Sequence, residues 1–175
     1  DGPADMNAEE DLTHLYGSVK WAPTANLTIH YNLFHLNGKR ELRLAVAPAS
    51  NRFLTETSRF DPNRATLTNL KVNYKMSDWA STEFLTYYSY RDPVYVLEDP
   101  DTHELTRTEE HDYEYGANLV QSLSLGERNV LRIGGLYNHW VAPNGKRFYV
   151  GRRNDLHTLS GVIVDEHRFE SLLAK

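Results

Sequence analysis

Cysteine is absent from this 175-residue chain, so it can build neither a disulfide framework nor a thiolate metal site. Lack of thiols also suits a protein that crosses an oxidising periplasm. Positive charge is short as well: 19 Lys and Arg stand against 24 Asp and Glu, a formal net charge of -5. No segment gathers a basic stripe, so nucleic acid is not an expected partner. No apolar run approaches the roughly 20 residues that a membrane helix requires; the most apolar, 161–164, is far shorter. Membrane strands stay open, because a barrel strand alternates lipid-facing and lumen-facing side chains and does not read as hydropathic. Residues 1–5 are acidic and lack the layout of a signal peptide, which implies either a removed signal or an internal piece of something larger.

What is present favours strands. Hydrophobic residues make up 40% and charged residues 25%, which excludes a disordered or collagen-like chain and allows one domain over 1–175. Eleven tyrosines, with threonine and valine throughout, are a strand-favouring vocabulary. Period-two alternation recurs, and helical periodicity is scarce. Seven strands are predicted, at 12–21, 26–35, 65–76, 79–90, 111–124, 130–141 and 156–169. The third is the cleanest, with Leu70, Val72, Tyr74 and Met76 alternating against Asn69, Lys71, Asn73 and Lys75. The last is ambiguous: Leu159 and Ile163 lie on one parity and Val162 and Val164 on the other, as for a stretch packed against an inner domain or a soluble core.

Connections between these strands run short, long, short, long, short, long. The short ones carry turn chemistry around residues 22–25, 77–78 and 125–129. The long ones fall near 36–64, 91–110 and 142–155, the first with room for a hairpin of its own at 41–47. In an outer-membrane barrel every second connection is a short periplasmic turn and the others are long exterior loops. Strands of about 10 to 14 residues also exceed the usual 5 to 6, as a tilted crossing requires. Trp21, Trp79 and Trp140 sit near strand ends, where a membrane interface collects aromatic rings. The predicted fold class is therefore an all-β antiparallel meander, part of a transmembrane barrel.

Catalytic chemistry is not indicated. Ser160 lies in a strand interior rather than a nucleophile elbow, and Gly134 and Gly135 have no following lysine or helix of a phosphate loop. Glu109, Glu110, Asp99 and Asp101 read as solvated loop charges. His103 and His111 flank acidic residues in the second loop, and His157, Asp165, Glu166 and His167 gather near the last strand. None has tight ligand spacing, and a strand sends Asp165 and Glu166 to opposite faces, so no metal site and no cofactor are expected. A binding role is better supported. The parity that faces a lumen includes Lys20, His30, Asn32, Asn69, Lys71, Asn73, Lys75, Glu83, Asn118, Arg132 and Asn138. Arg147, Tyr149, Arg152 and Arg153 in the third loop are candidates to hold an anionic chelate through charge-assisted hydrogen bonds.

The run from His157 and Thr158 through Ser160 and Gly161 to Asp165 and Glu166 resembles a strand of TonB-dependent receptors that often reads H-T-x-S-G-x-x-x-D-E. Asn69 to Tyr74 and Glu114 to Asn118 are similar in style. The resemblance implies a barrel of twenty-two strands with an N-terminal plug in the outer membrane of a Gram-negative bacterium. Such a receptor imports iron–siderophore complexes, vitamin B12 or another scarce nutrient, drawing on an inner-membrane energy-coupling protein. Its expected partners are outer-membrane lipid and a small nutrient or metal chelate. No plug and no energy-coupling box are identified, and seven strands do not close such a barrel, so a middle section is expected. A passive porin, an eight-stranded barrel with one strand uncounted, and a soluble antiparallel barrel or sandwich that binds a ligand stay open.

Overall fold

The computed structural model describes residues 10–42, 57–99, 102–144 and 152–167. They form eight antiparallel strands and no helix: β1 (Glu10–Thr24), β2 (Leu27–Leu42), β3 (Thr57–Lys75), β4 (Ala80–Glu98), β5 (Leu105–Glu109), β6 (Asp112–Ser124), β7 (Asn129–Ala142) and β8 (Asn154–His167). All belong to one sheet in the order β1-β2-β3-β4-β6-β7-β8, with β5 folded back on the outer part of β4. β1 and β8 are the two edges, so the sheet is open.

The seven expected strands are all present, and β2, β3 and β4 run furthest beyond their expected ends. β2 continues to Leu42, β3 begins at Thr57 and β4 continues to Glu98, deep into the stretches expected to be loops at 36–64 and 91–110. Charge on both parities hides alternation here, and the same charges cross-link the ladder. Arg40 pairs with Glu10 at 2.8 Å, Arg59 with Glu98 at 3.7 Å and Arg64 with Asp92 at 3.9 Å. The eighth strand, β5, was also expected to be loop. The hairpin anticipated at 41–47 begins inside β2 and otherwise lies outside the described residues.

The three short connections all close at one end of the sheet. Ala25 and Asn26 join β1 to β2, later than the 22–25 turn expected around Pro23. β1 runs through Pro23 because its register with β2 shifts between Trp21 and Thr24, an irregularity at which a missing N–H is tolerated. Residues 76–79 join β3 to β4, with Met76 N donating to Ala80 O at 3.0 Å. Residues 125–128 join β6 to β7, and Gly126 takes φ +84°, the left-handed region that glycine enters without strain. The longer connections all leave from the opposite end, where the two-residue link Glu110–His111 also joins β5 to β6.

Residues directly opposite across antiparallel strands share a face. One row reads Val19, Tyr31, Leu70, Thr86, Ala117, Tyr137, Leu159, and the next Trp21, Ile29, Val72, Phe84, Leu119, Gly135, Gly161. These rows form an apolar face. The intervening row, Ser18, Asn32, Asn69, Tyr87, Gly116, Asn138, Thr158, belongs to a polar face. Nothing among the described residues forms a second layer over either face. Leu159 is 84% exposed and Ile163 74%, and Val19 and Trp21 are exposed as well. β8 is exposed on both faces.

Buried apolar side chains are few. Tyr95, Val96, Val141 and Ala142 are buried near the end with the longer connections, where Phe60 meets Tyr95 edge-on at 5.9 Å. Ala80 is buried at the other end. Without a larger core, close cross-strand fits matter more. A Cβ on Gly116 would stand 2.8 Å from the Tyr87 ring and 2.7 Å from the Tyr137 carbonyl oxygen. Gly116→Ala is expected to lower stability by about 1–3 kcal/mol through overpacking, with Gly135→Ala, whose Cβ would meet only Ser160 O at 3.8 Å, much less affected. Urea midpoints of the two variants check this.

Candidate functional site on the polar face

Alternation brings the polar residues of seven strands to one surface, and every residue expected to face a lumen lies on it. Lys20 and His30, Lys71, Asn73 and Glu83, Asn118, Arg132 and Asn138 all fall on this side of the register. Many are tied together. Ser18 Oγ donates to Asn32 Oδ1 at 2.9 Å, Tyr16 OH donates to the same oxygen at 3.2 Å, and Asn32 Nδ2 donates to Asn69 Oδ1 at 2.8 Å. Further along, Tyr87 OH and Asn138 Nδ2 converge on Glu114 Oε1 at 3.4 and 2.9 Å. Lys71 and Glu83 pair at 2.7 Å across β3 and β4, and Arg132 pairs with Glu166 across β7 and β8. Such half-exposed pairs contribute only about 0–1 kcal/mol each, so they shape a hydrated surface more than they stabilise it.

The strongest polar group on this face was not anticipated. Asp112 is fully buried and accepts from Arg91 Nε at 2.9 Å, Arg91 Nη2 at 2.8 Å and Trp140 Nε1 at 2.8 Å. The three residues come from β6, β4 and β7. Arg91 was assigned to a loop and Trp140 to an interfacial ring. The signal that reveals the set is register: Arg91 stands opposite Asp112, and Trp140 opposite Glu114, two residues along β6.

The loop candidates fare differently. Arg147 and Tyr149 lie outside the described residues. Arg152 is exposed, and Arg153 is committed to Asp155, its Nη2 and Nε donating to Oδ2 at 2.8 and 3.1 Å. Arg153 is thus partnered within the chain instead of free for an anion. The histidines singled out from sequence do not assemble. His103 bonds to Glu98 at 3.1 Å and His167 contacts Asn129, while Asp165 stands opposite Leu131 on the apolar face and Glu166 opposite Val130 on the polar one. His157 instead meets His139, an unforeseen partner, and Asp155 lies between them at the loop end of β7 and β8. A hydrogen bond from His139, then one from Arg153, hold the Asp155 carboxyl below the usual carboxylate range.

A scan against protein families finds no match, and a search of curated proteins finds none.

Chemically, this face offers donors and acceptors on a broad, water-accessible wall, anchored at its upper edge by Arg91 and Asp112. Removing the arginine takes two charge-assisted donors from a fully buried carboxylate, whereas removing the carboxylate's charge leaves a half-exposed arginine that water can solvate. Arg91→Ala is therefore expected to cost about 3–5 kcal/mol and Asp112→Asn about 1–3 kcal/mol. Denaturant unfolding of both variants measures the order.

Proposed function

We propose that this chain forms part of the wall of an outer-membrane β-barrel of the TonB-dependent receptor type, which takes up a scarce nutrient such as an iron–siderophore complex. The observation that carries the reading is a single-layer sheet with a continuous apolar face on one side and a hydrogen-bonded polar face on the other. A soluble sandwich needs a second sheet over the apolar face, and the described residues supply none. In a bilayer, acyl chains cover that face and every backbone polar group is satisfied between strands.

Three further features support the proposal. Short turns gather at one end and longer connections at the other, as periplasmic and exterior ends require. Strands of 13 to 19 residues in the meander exceed the roughly 9–11 needed to cross hydrocarbon, which lets β3 and β4 project beyond it. Both edges, β1 and β8, are long and uncharged enough at their centres to accept neighbouring strands of a larger barrel. The receptor type, rather than a passive porin, is favoured by the resemblance of the β8 sequence. In this reading the exterior connections meet the nutrient, the polar face meets water or an inner domain, and energy coupling involves an inner-membrane partner acting on other parts of the receptor.

The lack of native cysteine makes a direct test practical. Single cysteines at Val19, Phe84 and Ile133 on the apolar face, and at Asn69, Glu83 and Asn118 on the polar face, are introduced into the chain folded in lipid vesicles. A membrane-impermeant thiol reagent is expected to label the second group at least about tenfold faster than the first, as lipid cover on one face dictates. Equal labelling of both groups would contradict the proposal.

A further inference from the structure

At the loop end of β7 and β8, just past the apolar band, lies a cluster that neither face of the wall requires. His139 and His157 stand directly opposite in the register, and their rings stack at 3.8 Å with an interplanar angle of 15°. Both direct Nε2 to Oδ1 of Asp155: His139 in close contact, His157 at 3.3 Å. His139 is buried and the other two are exposed, and the three potential donor atoms lie within 4.8 Å of one another.

We propose that His139, His157 and Asp155 form a binding site for a divalent transition-metal ion of the zinc class. Two imidazole nitrogens and one carboxylate oxygen, with a fourth position open, is a donor set that zinc adopts. Zinc bonds of about 2.0–2.1 Å in tetrahedral geometry place neighbouring donors about 3.3–3.4 Å apart. The 3.3 Å between Asp155 Oδ1 and His157 Nε2 already meets that spacing.

The supporting contacts distinguish this cluster from an ordinary surface ion pair. A ligating histidine holds its other ring nitrogen against a hydrogen-bond partner, which fixes tautomer and ring direction. Here Tyr115 OH lies 2.6 Å from His139 Nδ1, and Tyr137 OH lies 3.1 Å from His157 Nδ1. When the ion binds, each hydroxyl accepts the Nδ1 proton, His139 Nε2 gives up the hydrogen it directs at Asp155, and the stacked rings turn out of parallel so that both Nε2 lone pairs reach the ion. Arg153 engages the remote carboxylate oxygen, Oδ2, and leaves Oδ1 to face the imidazoles. All three donors therefore have a second partner already in place. Exposure of Asp155 and His157 leaves the fourth position to water.

The site is independent of the proposed transport role, and its test does not read transport. The full chain, folded in detergent, is titrated with Zn²⁺ by calorimetry and with Co²⁺ by visible absorption. The expected result is one ion per chain and the intense d–d bands of four-coordinate cobalt. His157→Ala and Asp155→Asn are expected to abolish the bands. Tyr137→Phe, which keeps every donor, is expected to weaken binding roughly 10–100-fold, and His103→Ala to leave it unchanged. Failure of the folded wild-type chain to bind either ion would overturn the proposal. So would binding that His157→Ala and Asp155→Asn leave intact.

Discussion

Backbone hydrogen bonding between neighbouring antiparallel strands carries most of what holds this chain in shape. In a soluble domain the ladder is only part of the balance, and burial of apolar side chains between layers supplies the dominant favourable contribution. Here the described residues bury Ala80, Tyr95, Val96, Val141 and Ala142 and few other apolar groups. The remaining apolar side chains lie along one surface of a single sheet. Such a ladder gains most where water does not compete for its N–H and C=O groups. In the proposed membrane setting, hydrocarbon against the apolar face would provide such an environment, where an unpaired group costs several kcal/mol.

The same constraint explains why the polar face is ordered by hydrogen bonds instead of packing. Asn32, Asn69 and Asn138 share one row of the ladder, and Glu114 lies two residues along β6 from that row. They link neighbours at nearly constant height across the wall, and their contacts are those that a hydrated surface sustains. At the upper edge the balance shifts. Asp112 is removed from water and accepts from Arg91 and Trp140, and Val96 and Val141 are buried at the same end of the sheet. Among the described residues this edge is the nearest thing to a conventional core, and it lies where the longer connections begin.

Much of this was legible in the sequence, for an identifiable reason. Alternation survives where one face is apolar, so Leu70, Val72 and Tyr74 opposite Lys71, Asn73 and Lys75 announce both strand and facing. It fails where both faces are polar. Arg40, Glu41, Arg59 and Arg64 read as loop residues, yet they extend β2 and β3 by pairing across the ladder. β5 is missed for the same reason, since Thr106, Arg107 and Thr108 carry no apolar parity. Long-range register is the other limit. Asp112 with Arg91, and His139 with His157, are unremarkable along the chain and become neighbours only once the strands are aligned.

The central claim is that lipid covers one face of this sheet and not the other, and two native tryptophans report on it. Trp21 belongs to the apolar face and is 59% exposed, whereas Trp140 belongs to the polar face and donates to Asp112. Two versions of the chain, each retaining one of these tryptophans and carrying phenylalanine at the other tryptophan positions, are folded into vesicles containing brominated lipid. The account predicts strong quenching of Trp21 fluorescence and little quenching of Trp140. Equal quenching of both, or none of Trp21, would contradict it.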